Sequence, residues 1–136
     1  MKRYYSMVIP SALKELIKVE RFTERITQKA GLSNSAKDDV AIAVTEAVNN
    51  AIIHGNKCNK DKKVYIDFTT NDSEVVVSVR DEGSGFDLTA LNNPTTPENI
   101  MKESGRGIFI LTSIMDSVQF SFTPSTVITM IKKIVH

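Results

Sequence analysis

Three stretches of this chain carry side chains whose types and spacing suit phosphate chemistry. Glu46, Asn50 and His54 fall at i, i+4 and i+8, the spacing that stacks side chains along one stripe of an α-helix. Asn is a poor helix-interior residue, yet Asn49 and Asn50 stand side by side, so local propensity gives no reason for them. A carboxamide oxygen is a hard ligand that can complete a magnesium shell otherwise made of phosphate and water. A carboxylate one turn away can take the proton of an attacking hydroxyl. On this reading Asn50 faces a metal ion and Glu46 is a general base. A solvated stripe would use the same residue types, but this one is narrow within the apolar surface of Val40, Val44, Ala47, Val48, Ala51 and Ile52.

Asp81 follows the apolar run 75–80 and precedes Gly83 and Gly85. A tight turn would explain the glycines alone. The alternative is chemical: glycine lets a flat base approach the backbone, and a carboxylate at a strand end accepts a hydrogen bond from an exocyclic amine, which favours adenine over guanine. Further on, Gly105-Arg106-Gly107 leads into the apolar residues Ile108 and Phe109. Free amides at a helix start form an anion site, and glycines let phosphate come close. Arg106 adds charge there or is simply solvated. The pattern is neither the P-loop nor the Rossmann fingerprint.

The elements that must carry these residues can be read from periodicity and punctuation. Residues 3–9 form a strand halted by Pro10, and Ser11 caps a helix stopped by Gly31. Asn34 or Ser35 caps a second helix of about 20 residues ending at Gly55. Strands at 62–70 and 74–80 flank a turn at Asn71-Asp72-Ser73. Residues 87–104 are polar with Pro94 and Pro97 and read as a long loop. A helix from about Gly107 to Met115 and strands at 117–122 and 126–134 complete the order. This gives an α+β fold: one domain over 1–136, a two-layer α/β sandwich whose mixed, mainly antiparallel sheet is covered on one face by helices.

Composition narrows the function classes. The chain has 136 residues, 41% hydrophobic and 24% charged, with a formal net charge of +1. That balance is ordinary for a soluble domain and gives no general electrostatic reason to expect nucleic-acid binding. The basic run 57–63 contains Asp61 and reads as a solvated loop. No apolar run approaches a membrane span, and the basic start lacks the apolar stretch of a secretory signal. The single Cys58 has no internal partner, and a reducing cytoplasm is the natural compartment.

Taken in order, Glu46–Gly55, Val79–Phe86 and Ser104–Val118 resemble the sequence boxes of the GHKL ATPase superfamily, which shares the Bergerat fold. The likeness is greatest to its small serine-kinase anti-sigma factors, which pair with STAS-domain antagonists, and it covers nearly the whole chain. The resemblance implies that Glu46 is the general base and Asn50 the Mg2+ ligand, with His54 also at the nucleotide. It puts Asp81 on adenine, with Gly83 and Gly85 beside the base. Gly105, Arg106, Gly107, Ile108 and Phe109 then lie at the phosphates, and residues 88–104 form the ATP lid. Thr126 joins the adenine pocket, where Ser125 replaces a glycine that the family often has just before it. The implied function is an ATP-dependent serine/threonine kinase that sequesters a sigma factor and phosphorylates a STAS-domain anti-anti-sigma protein. It would bind ATP or ADP, act as a cytoplasmic homodimer, and use Arg21 toward partners, with no nucleic-acid or membrane partner. A catalytically silent, nucleotide-gated binding module is the competing reading, against which the presence of Glu46 argues.

Overall fold

The computed structural model describes residues 1–83, 110–122 and 124–135. Five strands make one sheet: β1 (Arg3–Pro10), β2 (Lys63–Thr70), β3 (Glu74–Arg80), β4 (Ser117–Ser121) and β5 (Val127–Lys133), in the spatial order β1-β2-β3-β5-β4. Helices α1 (Leu16–Ala30) and α2 (Asn34–Asn50) lie between β1 and β2 in the chain. Residues 110–114 form a short helix before β4.

Every pairing among the described strands is antiparallel, which corrects the mixed sheet read from sequence. The cause is the helical hairpin. Two packed helices carry the chain out and back, so it re-enters the sheet where β1 stopped, with Pro10 opposite Lys63, and must run the other way.

One face of the sheet alternates into the core. Val64, Ile66 and Phe68 of β2, Val75, Val77 and Val79 of β3, and Ile128 and Met130 of β5 are buried beneath Val19 and Ile26 of α1 and Val40, Val44 and Val48 of α2. Each such side chain contributes about 1.5–3 kcal/mol by leaving water. Phe22 of α1 meets Phe68 edge-on, with ring centroids 5.8 Å apart. Among the described residues no helix is long and apolar enough to cross a membrane.

Three boundaries differ from the sequence reading in ways that matter later. Ser11 does not cap a helix: its hydroxyl donates to the Lys62 carbonyl at 2.7 Å, because Pro10 pairs with Lys63 and keeps the chain over the start of β2. A 3-10 turn at Leu13–Glu15 intervenes before α1. The cap of α2 is Ser33, whose hydroxyl accepts from the Ala36 amide at 3.2 Å, rather than Asn34 or Ser35. Finally, α2 does not reach Gly55 as an α-helix. It widens at Ala51–Gly55 into a π-turn, closed by the Asn56 amide on the Ala51 carbonyl at 2.8 Å. Gly31, at φ 82°, ends α1 as the sequence suggests.

Ser33→Ala is expected to lower stability by about 1 kcal/mol through loss of the cap, whereas Asn34→Ala and Ser35→Ala stay within roughly 0.5 kcal/mol. Urea denaturation of the three variants checks the assignment, and the reverse order would overturn it.

Candidate functional site

At the end of β3, Asp81 is 2% exposed. Its amide donates to the Thr126 carbonyl at 3.1 Å, and its Oδ1 accepts from the amides of Gly83 at 2.9 Å and Thr126 at 3.2 Å. The other carboxylate oxygen rests over Gly55. A Cβ added to Gly55 would fall inside the Asp81 carboxylate, and one added to Gly83 would stand 2.5 Å from the Gly55 carbonyl oxygen. Gly55 and Gly83 are therefore glycine because the π-turn and the segment after β3 are in backbone contact. Burial pushes the Asp81 carboxyl above its usual range, while the Gly83 and Thr126 amides and the charges of Lys62 and Arg80 pull it down. A carboxylate kept in a site that disfavours its charge is a candidate for work on a ligand.

On α2, Glu46 and Asn50 are half-buried one turn apart. The Asn50 Nδ2 is fully buried and has no hydrogen-bond partner among the described residues, which is costly in an apolar surrounding. Such an orphaned N–H donor fits a missing acceptor, such as a phosphate or water oxygen. Among the described residues no group of three or more His, Cys, Asp or Glu side chains could hold a metal. An ion at Asn50 would thus draw the rest of its shell from phosphate and water, as magnesium does. Glu46 also lines a groove of about 680 Å³ between α1 and α2, together with Glu20, Glu24, Thr27, Asp38 and Ile42. His54 lies in the π-turn.

Two further residues escaped the sequence reading. Asn56 is 1% exposed. Its Nδ2 donates to the Ser11 hydroxyl at 2.8 Å and the Lys63 carbonyl at 2.9 Å, and its Oδ1 accepts from the Glu82 amide at 2.8 Å. Glu82 accepts from the Lys63 amide at 2.8 Å and from the Tyr65 hydroxyl at 2.5 Å, bonds that hold its carboxyl below the usual range, the tyrosine foremost. No sequence signal marks either residue.

The structure thus brings Asp81, Gly83 and Thr126 together against Gly55, and sets Glu46 and Asn50 on the helix that leads into that turn. Arg21 is exposed on α1. Gly85, Gly105, Arg106, Gly107, Ile108, Phe109 and the lid residues 88–104 lie outside the described residues.

The chain is similar to known proteins. The profile of the histidine kinase-like ATPase domain family matches residues 9–132. The chain is 28% identical over 138 aligned positions to the serine-protein kinase RsbW of Oceanobacillus iheyensis, covering 96% of this chain and 87% of that one. It is 41% identical over 90 positions to the anti-sigma F factor of Bacillus subtilis, covering 63% and 60%. Its fold superposes with a TM-score of 0.71 on a crystal structure of the RsbU and RsbW domains of a Mycobacterium tuberculosis protein, at 15% identity, over 97% of this chain and 32% of that one.

The raised pKa of Asp81 has a thermodynamic consequence. Its folded-state value lies above the unfolded one, so the native state binds the proton more tightly and loses stability as pH rises through that window. Asp81→Asn, neutral throughout, is expected to melt at or above the wild type at pH 7, the advantage shrinking as pH falls toward 4. Thermal melts of the ligand-free proteins between pH 4 and 7 measure this; a variant less stable at pH 7 than at pH 4, relative to wild type, would contradict it.

Proposed function

The chain belongs to the histidine kinase-like ATPase domain family, and from that premise we propose that it is an ATP-dependent serine/threonine protein kinase acting as an anti-sigma factor. It sequesters a sigma factor and phosphorylates a STAS-domain anti-anti-sigma protein. The observation that carries the reading is the joined pair of half-sites: Glu46 and Asn50 one turn apart on α2, and a buried Asp81 seated on Gly55 where that helix ends. The relatives named serine-protein kinase RsbW and anti-sigma F factor support it.

In this reading Asp81 accepts from the exocyclic amine of adenine, with Gly83, Gly85 and Thr126 around the base and His54 nearby. Asn50 holds Mg2+ through its carboxamide oxygen, and the ion neutralises charge on the phosphates. Gly105, Arg106, Gly107, Ile108 and Phe109 supply amides and charge to the phosphates, with 88–104 as the lid. The acceptor hydroxyl comes from the partner and reaches Glu46 by way of the α1–α2 groove. Its oxygen forms a bond to the γ-phosphorus, its proton passes to the Glu46 carboxylate, and the bond to the β,γ-bridging oxygen breaks, leaving ADP with the electron pair. Because one reactant belongs to another protein, the chain alone turns over ATP slowly. Arg21 on the exposed side of α1 contacts partners. The protein works in the cytoplasm as a homodimer, for which the exposed β1 residues Tyr4 and Val8 offer apolar surface.

Incubation with labelled ATP, magnesium and the STAS-domain proteins of the same genome is expected to label one of them on serine or threonine. Glu46→Gln should slow that labelling by about 10²–10⁴-fold with ATP affinity unchanged. No labelling by the wild type despite ATP binding would leave a nucleotide-gated binding module instead. Asn50→Ala is expected to abolish the gain in ATP affinity that magnesium confers; calorimetric titrations with and without the ion decide this, and an unchanged gain removes Asn50 from the metal.

A further inference from the structure

We propose that Asn56 is a positioning residue for base selection, clamping the backbone that presents Asp81; the inference rests on the assignment of Asp81 to adenine. Asn56 closes a ring of hydrogen bonds around the start of β2. Its Nδ2 donates to the Lys63 carbonyl, the Lys63 amide donates to the Glu82 carboxylate, and the Glu82 amide donates back to the Asn56 Oδ1. The second Nδ2 proton goes to the Ser11 hydroxyl, which passes its own proton to the Lys62 carbonyl. Both donors and the acceptor of the carboxamide are thus engaged in a site 1% exposed.

The consequence for Asp81 is geometric. Glu82, whose amide Asn56 holds, stands between Asp81 and Gly83, and the Gly83 amide bonds the Asp81 carboxylate. The backbone amide of Asn56 also closes the π-turn on Ala51, which fixes Gly55, the residue on which that carboxylate rests. One side chain and its own backbone therefore fix both the wall that carries Asp81 and the floor beneath it. A hydrogen bond weakens steeply with small losses of distance and angle, so a carboxylate freed to shift loses its grip on an exocyclic amine first. Contacts to ribose and phosphates are made elsewhere and tolerate the shift.

Only a carboxamide of this length serves. Asp would aim an acceptor at the Lys63 carbonyl and at a hydroxyl whose proton is already committed to Lys62. Ala would leave the Glu82 amide and the Lys63 carbonyl without these partners in a buried place. A residue with a purely structural role would lower stability while leaving the choice of base intact. A positioning residue changes the choice of base.

The test compares ATP with ITP, in which a carbonyl oxygen replaces the exocyclic amine. Affinities of the full chain for both nucleotides are measured calorimetrically for wild type, Asn56→Ala and Ser11→Ala, at a temperature where melts show each folded. Wild type should favour ATP. Asn56→Ala should lose about 10–100-fold in ATP affinity, the range of a lost hydrogen bond to a charged group, with ITP affinity changed by less than roughly threefold. Ser11→Ala, which removes one contact of the clamp, should narrow the ATP-to-ITP ratio part of the way. A wild-type ratio in Asn56→Ala, with or without a lower melting temperature, overturns the proposal. Should Asn56→Ala fail to fold, an unchanged ratio in Ser11→Ala does the same. Wild-type protein that binds both nucleotides equally would instead refute the adenine contact of Asp81, and this inference with it.

Discussion

The seating of the Asp81 carboxylate on Gly55 is the constraint around which the other parts of the site are arranged. It forbids a side chain at Gly55 and leaves almost no room for one at Gly83. It joins the end of β3 to the end of the α2 helical segment, so a residue on the sheet and residues on the helix hold a fixed relation. The π-turn at Ala51–Gly55 belongs to the same arrangement. An extra residue in the last winding brings Gly55 against the strand end while Glu46 and Asn50 remain in regular α geometry one turn apart. Single wide turns of this kind are rare and concentrate at functional places.

Such a contact is unfavourable by itself. A buried carboxylate loses hydration, and for Asp81 that loss outweighs the Gly83 and Thr126 amides, since its pKa is raised rather than lowered. Asn50 shows a second debt of the same kind in its buried, unpartnered Nδ2. Neighbouring polar groups are satisfied: Asn56 uses its whole carboxamide, and Glu82 bonds both Lys63 and Tyr65. The contrast separates two sorts of buried polar residue. Asn56 and Glu82, which hold the frame, are satisfied within the chain, whereas Asp81 and Asn50 carry an unmet cost.

Much of this was legible in the chain because it rests on local pattern. The strand alternation, the apolar face of α2, Gly31 as a stop, and an acid followed by glycine after β3 each announce themselves within a few residues. What stayed hidden depends on distant partners. Ser11 reads as a helix cap because Ser before an apolar helical pattern normally is one; its hydroxyl goes instead to residues 51 and 45 positions away in sequence. Asn56 carries no signal in the sequence because its burial exists only once β1, β2 and β3 meet at one corner. Nothing in sequence periodicity warns of the π-turn at Ala51–Gly55. The sheet reads as mixed because a helical hairpin and a single crossover helix look alike until the chain's return direction is known.

β5 extends the same logic to the other side of the site. Just before its start, the Thr126 carbonyl accepts from the Asp81 amide and the Thr126 amide donates to the Asp81 carboxylate. At its far end, Lys132 reaches the Ile114 carbonyl at 2.6 Å and Asp39 of α2 at 3.0 Å, a cation placed where the 110–114 helix finishes. Beside it, Asp116 accepts from the Lys133 amide at 2.6 Å and donates its own amide to Ile131. The chain therefore leaves Asp81 and returns at Ile114 with both points tied to one strand, about 20 Å apart by strand geometry. Lys132 reads from sequence as an ordinary strand lysine, yet it connects the helix of Glu46 and Asn50 to this return point. Asp81, the helix bearing Glu46 and Asn50, and residues 110–114 are thus referred to a single strand. The spacing between these described parts is set by the sheet.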